Sequence, residues 1–517
     1  MLSCVYSAGI SGIDGFLVTV ECNCTKRLSC FEIVGLPDNA IKEAKERVRS
    51  ASLNSGFGFP DLEIIVNLAP ADIKKEGSAF DLAILISLLQ ASGKLKNEYG
   101  EVDLSDCCFI GELSLSGDIR PVRGALSMAI SAQRAGKKRI FVPLENAKEA
   151  SVVDGIEVYA IKSVKQLTNF LLNIHSLERY IYVPSEEEIA PTCPDFADVR
   201  GQARVKRAVE IAAAGGHNIL LIGPPGTGKS MIAKRIPSIL PEMTFEESIE
   251  TTKVHSISGI LPSDVSLIRT RPFRSPHHTM SAPALVGGGR IPAPGEVSLA
   301  NNGVLFLDEF PEFSKSVTEA LRQPLEDGAV TITRASGRIK YPCSFMLVCA
   351  MNPCRCGYYG HPTHECTCKE GDRKKYISKI SGPLLDRIDI QIEVPSLPYN
   401  ELSSSERKEE PSSEIRKRVN SARKIAQERF KGEKTDNGMP ITCNAQMEAR
   451  HIRIFCQLDD ASKRLMERAY DTLGLSARGH DRILRLARTI ADLAGSEAIL
   501  PIHLAEAVQL RSLDKNL

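Results

Sequence analysis

Residues 223–230 of this 517-residue chain have types and a spacing that can hold phosphate. They are Gly223, Pro224, Pro225, Gly226, Thr227, Gly228, Lys229 and Ser230. An apolar run, 218–222, precedes them and a helical pattern follows, which is the strand–loop–helix context of a P-loop. Glycines let backbone N–H groups converge on phosphate oxygens, while Lys229 can reach the β- and γ-phosphates and the Ser230 hydroxyl can ligate Mg²⁺. The segment therefore predicts a nucleotide-phosphate site.

Polar side chains also end two further apolar runs. Asp308 and Glu309 follow the run 304–307, and Asn352 follows the run 345–351. A P-loop needs an acidic partner on a neighbouring strand, so we predict that Asp308 holds Mg²⁺ through water and that Glu309 polarises the attacking water. The Asn352 amide can orient that water beside the γ-phosphate, although an Asn-Pro pair is also a common strand-ending turn. Together these residues predict nucleotide hydrolysis.

Four of the fifteen cysteines form two close pairs. They are Cys354, Cys356, Cys366 and Cys368, each pair being Cys-x-Cys. Four thiolates in two pairs suit tetrahedral Zn²⁺, so we predict a zinc loop at residues 353–369. His361 and His364 are also possible ligands. The alternative, four reduced surface thiols, is less favourable because exposed free thiols are reactive.

A short segment before the Asn352 run alternates like two strands. Residues 330–334 and 338–341 flank a turn at 335–337, which predicts a β-hairpin. Its cations are Arg334, Arg338 and Lys340, and no acidic residue lies between Ala329 and Cys343. Three cations on a hairpin could contact nucleic-acid phosphates without reading bases. Alternatively, the charges serve only to keep an exposed hairpin soluble.

Composition excludes several classes of protein. Hydrophobic residues are 43% and charged residues 25%, which are ordinary globular values and exclude wholesale disorder. Lys and Arg number 65 against 64 Asp and Glu, so any anionic partner must be held by a local patch. No run approaches the ~20 apolar residues of a membrane span, and the N-terminus has no basic region typical of a signal peptide. We therefore expect a cytoplasmic protein that does not enter a membrane.

The elements that must position these residues fall into three predicted regions. Residues 1–178 alternate strand-like and helical runs, which predicts an α/β domain. Residues 195–395 contain buried strand-like runs that suit a parallel sheet covered on both faces. Residues 414–517 show helical periodicity and predict an all-α region. Two polar stretches, 183–194 and 396–413, are predicted as linkers.

These motifs together resemble a known family. The P-loop, the Asp-Glu pair, Asn352 and the sequence Leu-Leu-Asp-Arg ending at Arg387 resemble an AAA+ ATPase. Phe-Arg-Ser-Pro-His-His-Thr-Met from Phe273, Ala-Leu-Val-Gly-Gly-Gly from Ala284 and Pro-Gly-Glu-Val-Ser-Leu-Ala from Pro294 resemble the magnesium-chelatase motor subunit. With the order of domains, nearly the whole chain is similar to the YifB/ComM family of magnesium-chelatase-like proteins. The resemblance implies ATP and Mg²⁺ as cofactors.

The same resemblance implies roles for two arginines. Arg387 matches the arginine finger that reaches the γ-phosphate of a neighbouring subunit, and Arg478 matches the sensor-2 arginine of the helical lid. A finger that acts in trans implies a ring, so a homo-hexamer is expected. Arg387 could instead pair with Asp386 or Asp389 at the surface, and Arg482 is a rival for the sensor position.

Residues 65–145 resemble the proteolytic domain of Lon, which uses a Ser–Lys dyad. Ser78 roughly matches the serine, but the lysine position falls on Ala125 and Leu126. Without a base, Ser78 is an ordinary hydroxyl, so we expect no peptidase activity. The domain is then expected to serve ring assembly or substrate guidance.

Three functions compete on this basis. The first is a hexameric ATP-driven DNA motor, because the family includes a branch-migration helicase of recombination and natural transformation. In related motors the hairpin points into the ring's pore, where it would meet branched or single-stranded DNA. The second is a chelatase-type motor that remodels a partner protein, although no integrin-like domain follows the lid. The third is an ATP-dependent protease or unfoldase, of which only unfolding survives the missing lysine.

Overall fold

The computed structural model describes residues 2–98, 100–184, 194–289, 293–334, 337–361, 363–397, 409–436 and 438–511. The side chain of Arg334, the turn residues 335–336 and most of the two predicted linkers lie outside this description. The chain divides into two compact units. The first comprises Met1–Ala190 and Phe245–Arg269, and the second comprises Pro191–Thr244 and Thr270–Leu517.

The first unit is built on a mixed sheet. Its strands are β1 (Leu2–Ser11), β2 (Asp14–Thr25), β3 (Cys30–Val34), β4 (Glu63–Ala69), β5 (Lys96–Asn97), β6 (Gly100–Glu101), β7 (Cys107–Phe109), β8 (Glu112–Leu113), β9 (Ile119–Arg120), β10 (Arg139–Pro143) and β11 (Glu157–Ile161). Seven of them form one sheet in the order β11-β10-β7-β1-β2-β4-β3. Along β2, Val18, Val20 and Cys22 are fully buried, because alternate side chains of a strand face the same side.

Helices cover this sheet. They are α1 (Asn39–Asn54), α2 (Asp81–Ala91), α3 (Ala125–Arg134), α4 (Ala147–Ala150) and α5 (Val164–Leu171). Nearly every residue of α2 is buried, which is typical of a helix that is apolar on all faces. Asp38 caps α1 by accepting a hydrogen bond from the Ile41 N–H at 2.9 Å. The expected mixed α/β character is confirmed.

The second unit contains the strands that carry the site. They are β12 (Ile219–Ile222), β13 (Phe273–Arg274), β14 (Gly287–Gly288), β15 (Ala293–Pro294), β16 (Val304–Leu307), β17 (Ala329–Arg334), β18 (Gly337–Pro342), β19 (Met346–Met351) and β20 (Ile390–Glu393). Five form a parallel sheet in the order β13-β16-β19-β12-β20. All residues of β12, β16 and β19 are buried, so the predicted parallel sheet is confirmed.

The remaining helices follow in chain order. They are α6 (Ala203–Gly215), α7 (Lys229–Ile239), α8 (Phe245–Ser258), α9 (Ala282–Val286), α10 (Glu296–Leu299), α11 (Lys315–Ala320), α12 (Arg322–Asp327), α13 (Glu370–Ile377), α14 (Gly382–Leu385), α15 (Ser412–Arg429), α16 (Ala449–Phe455), α17 (Asp460–Leu473), α18 (Ala477–Leu493) and α19 (Pro501–Gln509). The C-terminal part is helical, as predicted. In α18, Ile483, Leu486 and Ile490 are buried on one face. None of the helices in the described ranges has the length and apolarity to cross a bilayer.

Helix α8 belongs to the first unit, although it lies in the sequence between the two segments of the second unit. Its Ser256 hydroxyl donates to Glu149 Oε2 at 2.6 Å and accepts from the Gly124 N–H at 3.0 Å. Lys253 Nζ lies 3.0 Å from Asp14 Oδ1. Burial raises the pKa of the Glu149 carboxyl, which accepts hydrogen bonds from Ser256 and, at 2.7 Å, from the Asn146 side-chain amide. The sequence pattern predicted one domain over residues 195–395, whereas the structure places residues 245–269 in the first unit.

Candidate active site

The P-loop joins β12 to α7 at the carboxyl edge of the parallel sheet. Gly228 has φ +85°, in the left-handed region where glycine is favoured. Gly223 is needed for a different reason, because a Cβ there would lie 2.3 Å from the Val394 carbonyl oxygen. The Gln202 side-chain amide donates to the Thr227 carbonyl at 2.9 Å and ties the loop to the start of α6. The loop is therefore held in one shape by local contacts.

Lys229 is buried within this loop. Its ammonium donates to the carbonyl oxygens of Gly223 and Pro224 at 2.7 and 2.8 Å, and it lies 3.3 Å from Asn352 Oδ1. Burial lowers the pKa of Lys229, and the charge of Asp308 opposes that shift. The structure thus brings together Lys229, at the start of α7, and Asn352, which follows the end of β19.

Ser230 and Asp308 also meet. The Ser230 hydroxyl donates to Asp308 Oδ2 at 2.6 Å, while Asp308 Oδ1 accepts from the Glu309 N–H at 2.9 Å. A hydroxyl and a carboxylate side by side are the hard oxygen ligands that Mg²⁺ prefers, so the residues present fit that cation. The charge of the buried lysine and the backbone N–H groups of the loop fit a polyphosphate in the same way.

Glu309 has an unusual backbone. Its φ of +50° and ψ of 44° lie in the left-handed region, which is uncommon for a residue with a Cβ and is concentrated at functional sites. The side chain is 60% exposed, and its Oε2 atom lies 3.4 Å from His278 Nδ1. Sequence reasoning assigned no role to His278. The sequence pattern gives no signal for this contact, because the preceding strand β13 has only two residues.

Asn352 is supported from the loop that follows it. Its backbone N–H faces the hydroxyl of Tyr376 on α13, and burial raises the pKa of Tyr376 to about 12. Gly357 packs against the P-loop, because a Cβ there would lie 2.8 Å from Pro225 Cδ. The cysteine loop therefore contacts both the P-loop and the strand end that carries Asn352.

The two arginines assigned by resemblance, Arg387 and Arg478, lie in the second unit. Arg387 forms an ion pair with Glu326, and not with Asp386 or Asp389 as the alternative expected. Burial lowers the pKa of Arg387, and the positive charges of Arg322 and Arg478 lower it further. Arg322 and Arg478 therefore each add positive charge near Arg387.

Arg482, the rival for the sensor position, is buried elsewhere. Its Nε lies 3.5 Å from Asp389 Oδ1, and burial lowers the pKa of Arg482 to about 10. Asp389 is also bonded to His217 at 3.3 Å; although burial acts in the opposite direction, that hydrogen bond and the nearby arginines hold its pKa at about 2. This buried pairing favours a structural role for Arg482, whereas Arg478 is exposed.

The four cysteine sulfurs converge. Sγ of Cys354 lies 3.3 Å from that of Cys356 and 3.6 Å from that of Cys366, and the four atoms lie within 4.8 Å of one another. Tetrahedral zinc with Zn–S bonds of about 2.3 Å separates its sulfurs by about 3.8 Å, so the set fits zinc. Both ring nitrogens of His361 have other partners, since Nε2 lies 3.1 Å from Ser396 Oγ and Nδ1 accepts from the Thr363 N–H at 3.2 Å.

The hairpin β17–β18 has one exposed face and one buried face. Thr333 pairs with Arg338 and Thr331 with Lys340 across the strands, so these four side chains share a face. Arg338 and Lys340 are exposed, and neither forms an ion pair within the described ranges. The opposite face is buried through Val330, Ile332 and Tyr341. The backbone of Arg334 pairs with Gly337 at the end of the ladder.

In the first unit, Ser78 has a carboxylate partner. Its hydroxyl donates to Glu112, and not to a lysine. The nearby Lys75 is buried, donates to the Pro70 carbonyl, and has its pKa lowered by burial. The hydrogen-bond partner of the Ser78 hydroxyl is therefore a carboxylate.

Comparison with known proteins identifies the family. Residues 195–402 match the family described as magnesium chelatase, subunit ChlI, residues 20–146 match subunit ChlI of Mg-chelatase, and residues 409–511 match the ChlI C-terminal family. The chain is 42% identical to competence protein ComM of Haemophilus influenzae, over 99% of this chain and 98% of that protein. It is also 42% identical to YifB of Escherichia coli, over the same shares of the two chains.

A more distant relative is the magnesium-chelatase 38 kDa subunit of Rhodobacter capsulatus. It is 26% identical over 39% of this chain and 56% of that subunit. The family implies ATP and Mg²⁺ at the site described above. The chain belongs to the YifB/ComM family of magnesium-chelatase-like AAA+ ATPases.

Proposed function

We propose that this AAA+ ATPase is a homo-hexameric DNA motor, a branch-migration helicase of homologous recombination and natural transformation. The observation that carries the proposal is the hairpin β17–β18, whose exposed face presents Arg338 and Lys340 without acidic partners within the described ranges. The full-length similarity to a protein named for competence supports the same direction. The expected cytoplasmic location belongs to this proposal.

Each residue of the site has its own role in the proposed hydrolysis of ATP. The P-loop N–H groups and Lys229 hold the β- and γ-phosphates, and Ser230 and Asp308 would hold Mg²⁺, whose charge offsets that of the phosphates. Asn352 orients a water molecule, and Glu309 accepts its proton as the water oxygen bonds to the γ-phosphorus. The bond from the γ-phosphorus to the bridging oxygen breaks, and ADP leaves with that electron pair.

The second part of the proposal is a trans arginine. Arg387 serves the nucleotide of the neighbouring subunit as the finger, and Arg478 is the sensor-2 arginine of the helical lid. The positive charges of Arg322 and Arg478 near Arg387 support this, because like charges repel and an incoming phosphate would relieve the repulsion. Glu326 neutralises Arg387 within a single chain.

For DNA, the proposal predicts phosphate contacts. Replacing Arg334, Arg338 and Lys340 with Ala should flatten the dependence of DNA affinity on salt, by roughly 0.7–0.9 in the log–log slope per lost contact. Translocation should be lost, while ATPase without DNA survives because the residues assigned to hydrolysis all lie outside the hairpin. DNA affinity is measured by fluorescence anisotropy over a series of salt concentrations.

A matched control removes the same charge from the lid. Lys463, Arg464 and Arg468 are exposed on α17, and their replacement by Ala should leave the slope unchanged. If the hairpin variant keeps the parent's slope, the hairpin is only a solvated turn. If the parent neither binds DNA nor responds to it, a chelatase-type or protein-remodelling motor becomes the better account.

The cysteine cluster is proposed as a structural zinc site. Protein prepared without an affinity tag under reducing conditions should contain about one zinc per chain by elemental analysis, held by four thiolates. Cys366→Ser with Cys368→Ser should remove the metal. Cys30→Ser, at an exposed thiol of the first unit, should not. A zinc content near zero in the parent rejects the site.

A further inference from the structure

His278 and Glu309 follow the paired ends of two neighbouring strands. Strands β13 and β16 are parallel, with Arg274 opposite Leu305, so the residues four positions further along are His278 and Glu309. The end of β13 is anchored, because Arg274 forms a two-pronged ion pair with Glu296 on α10, with both contacts at 2.7 Å. His278 therefore reaches the site from a fixed strand end.

The imidazole is held against the carboxylate. His278 Nδ1 lies 3.4 Å from Glu309 Oε2, and the His278 side chain is 31% exposed. The ring of His277 lies 4.2 Å away between centroids, tilted by 33°, and Phe313 meets His278 edge-on at 6.4 Å. These contacts restrict the His278 ring. The Glu309 side chain is mostly exposed, and ordering an exposed side chain costs conformational entropy. A hydrogen bond from the restricted ring would offset that cost.

We propose that His278 is a positioning residue that donates from Nδ1 to the Glu309 carboxylate and holds it in the orientation that accepts the proton of water. The proposal rests on the proposed role of Glu309 as the base. The left-handed backbone of Glu309 and the bond from its N–H to Asp308 fix the main chain, so the carboxylate is the part that still needs a partner. A contact of 3.4 Å that shortens during turnover is typical of catalytic hydrogen bonds.

If His278 only positions Glu309, its replacement should affect the turnover of ATP and not the binding of ATP. His278 acts through Glu309 and does not contact the P-loop residues described above, so its loss should lower kcat and leave KM for ATP within about twofold. The expected loss for His278→Leu is about tenfold, as for other groups that orient a reactive side chain. Basal ATPase without DNA is the assay, and binding of a fluorescent ATP analogue confirms a folded site.

The position of the donor gives a sharper test. The amide nitrogen of Asn branches at the same carbon as Nδ1, whereas that of Gln lies one bond further along. His278→Asn should therefore recover most of the turnover, and His278→Gln should not. His175→Leu is the matched control, because His175 is an exposed histidine of the first unit, and its kcat should stay within about twofold of the parent.

A double variant shows whether His278 acts through Glu309. In a Glu309→Gln background, His278→Leu should cause no further loss, because residues acting as one unit are not additive. Equal losses for Asn and Leu, or a further loss in that background, would overturn the proposal. Normal turnover in Glu309→Gln alone would refute the base assignment itself, whereas a dead Glu309→Gln with normal His278→Leu refutes only the role of His278.

Discussion

Glu309→Gln is expected to bind ATP as tightly as the parent and to lose at least about a hundredfold in kcat. The amide is nearly the same size as the carboxylate but cannot accept the proton of the attacking water. Lys229 and the P-loop N–H groups, which hold the phosphates, are untouched by the change. Steady-state ATPase assays and titration with a fluorescent ATP analogue measure the two quantities separately.

A matched control lies one turn along the chain. Glu312 is an equally acidic neighbour, but it pairs with Lys379 at 3.0 Å. Glu312→Gln should keep kcat within about twofold of the parent, since exposed ion pairs contribute little. Normal turnover in Glu309→Gln would remove Glu309 from the mechanism and leave the hydrolytic centre without its base.

The second large effect is at Arg387. Arg387→Ala should bind ATP but lose about a thousandfold in kcat, as expected when an arginine finger is removed. Lys229→Ala should fail for a different reason, because it removes the phosphate-binding cation of its own subunit. Mixing the two variants should restore part of the activity, since some neighbouring pairs then combine an intact Lys229 with an intact Arg387.

The control mixture combines two defects of the same subunit. Lys229→Ala with Glu309→Gln should show no recovery, because no interface in that ring contains a complete site. Mass photometry establishes that each mixture has assembled. Rings that form without any recovery in the Arg387 mixture would contradict a trans role for this arginine.

The sequence was most informative where chemistry is local. The P-loop is eight consecutive residues that fix their own shape, so its position and the flanking β12 and α7 follow from the pattern. The strands that carry Asp308 and Asn352 are apolar on both faces, which predicts burial in a parallel sheet. Parallel strands bring their ends to one edge, and this explains why these side chains meet near Lys229.

Features that depend on distant pairing were not predictable. Strand β13 has only two residues, so its pattern gives no signal, and its pairing with β16 alone brings His278 to Glu309. Helix α8 carries no mark in its own sequence that it joins the first unit, because the contact of Ser256 with Glu149 spans 107 residues. Arg482 and Arg478 have the same chemistry, and only the buried Asp389 distinguishes them.

The central claim is that ATP hydrolysis at this site moves DNA, and migration of a synthetic four-way junction tests it most directly. Purified parent protein with ATP and Mg²⁺ should convert a labelled junction to its duplex products. Glu309→Gln and the Ala variant of the three hairpin cations should each fail to do so. A parent that hydrolyses ATP but leaves junctions intact, with no stimulation of its ATPase by branched or single-stranded DNA, would contradict the account.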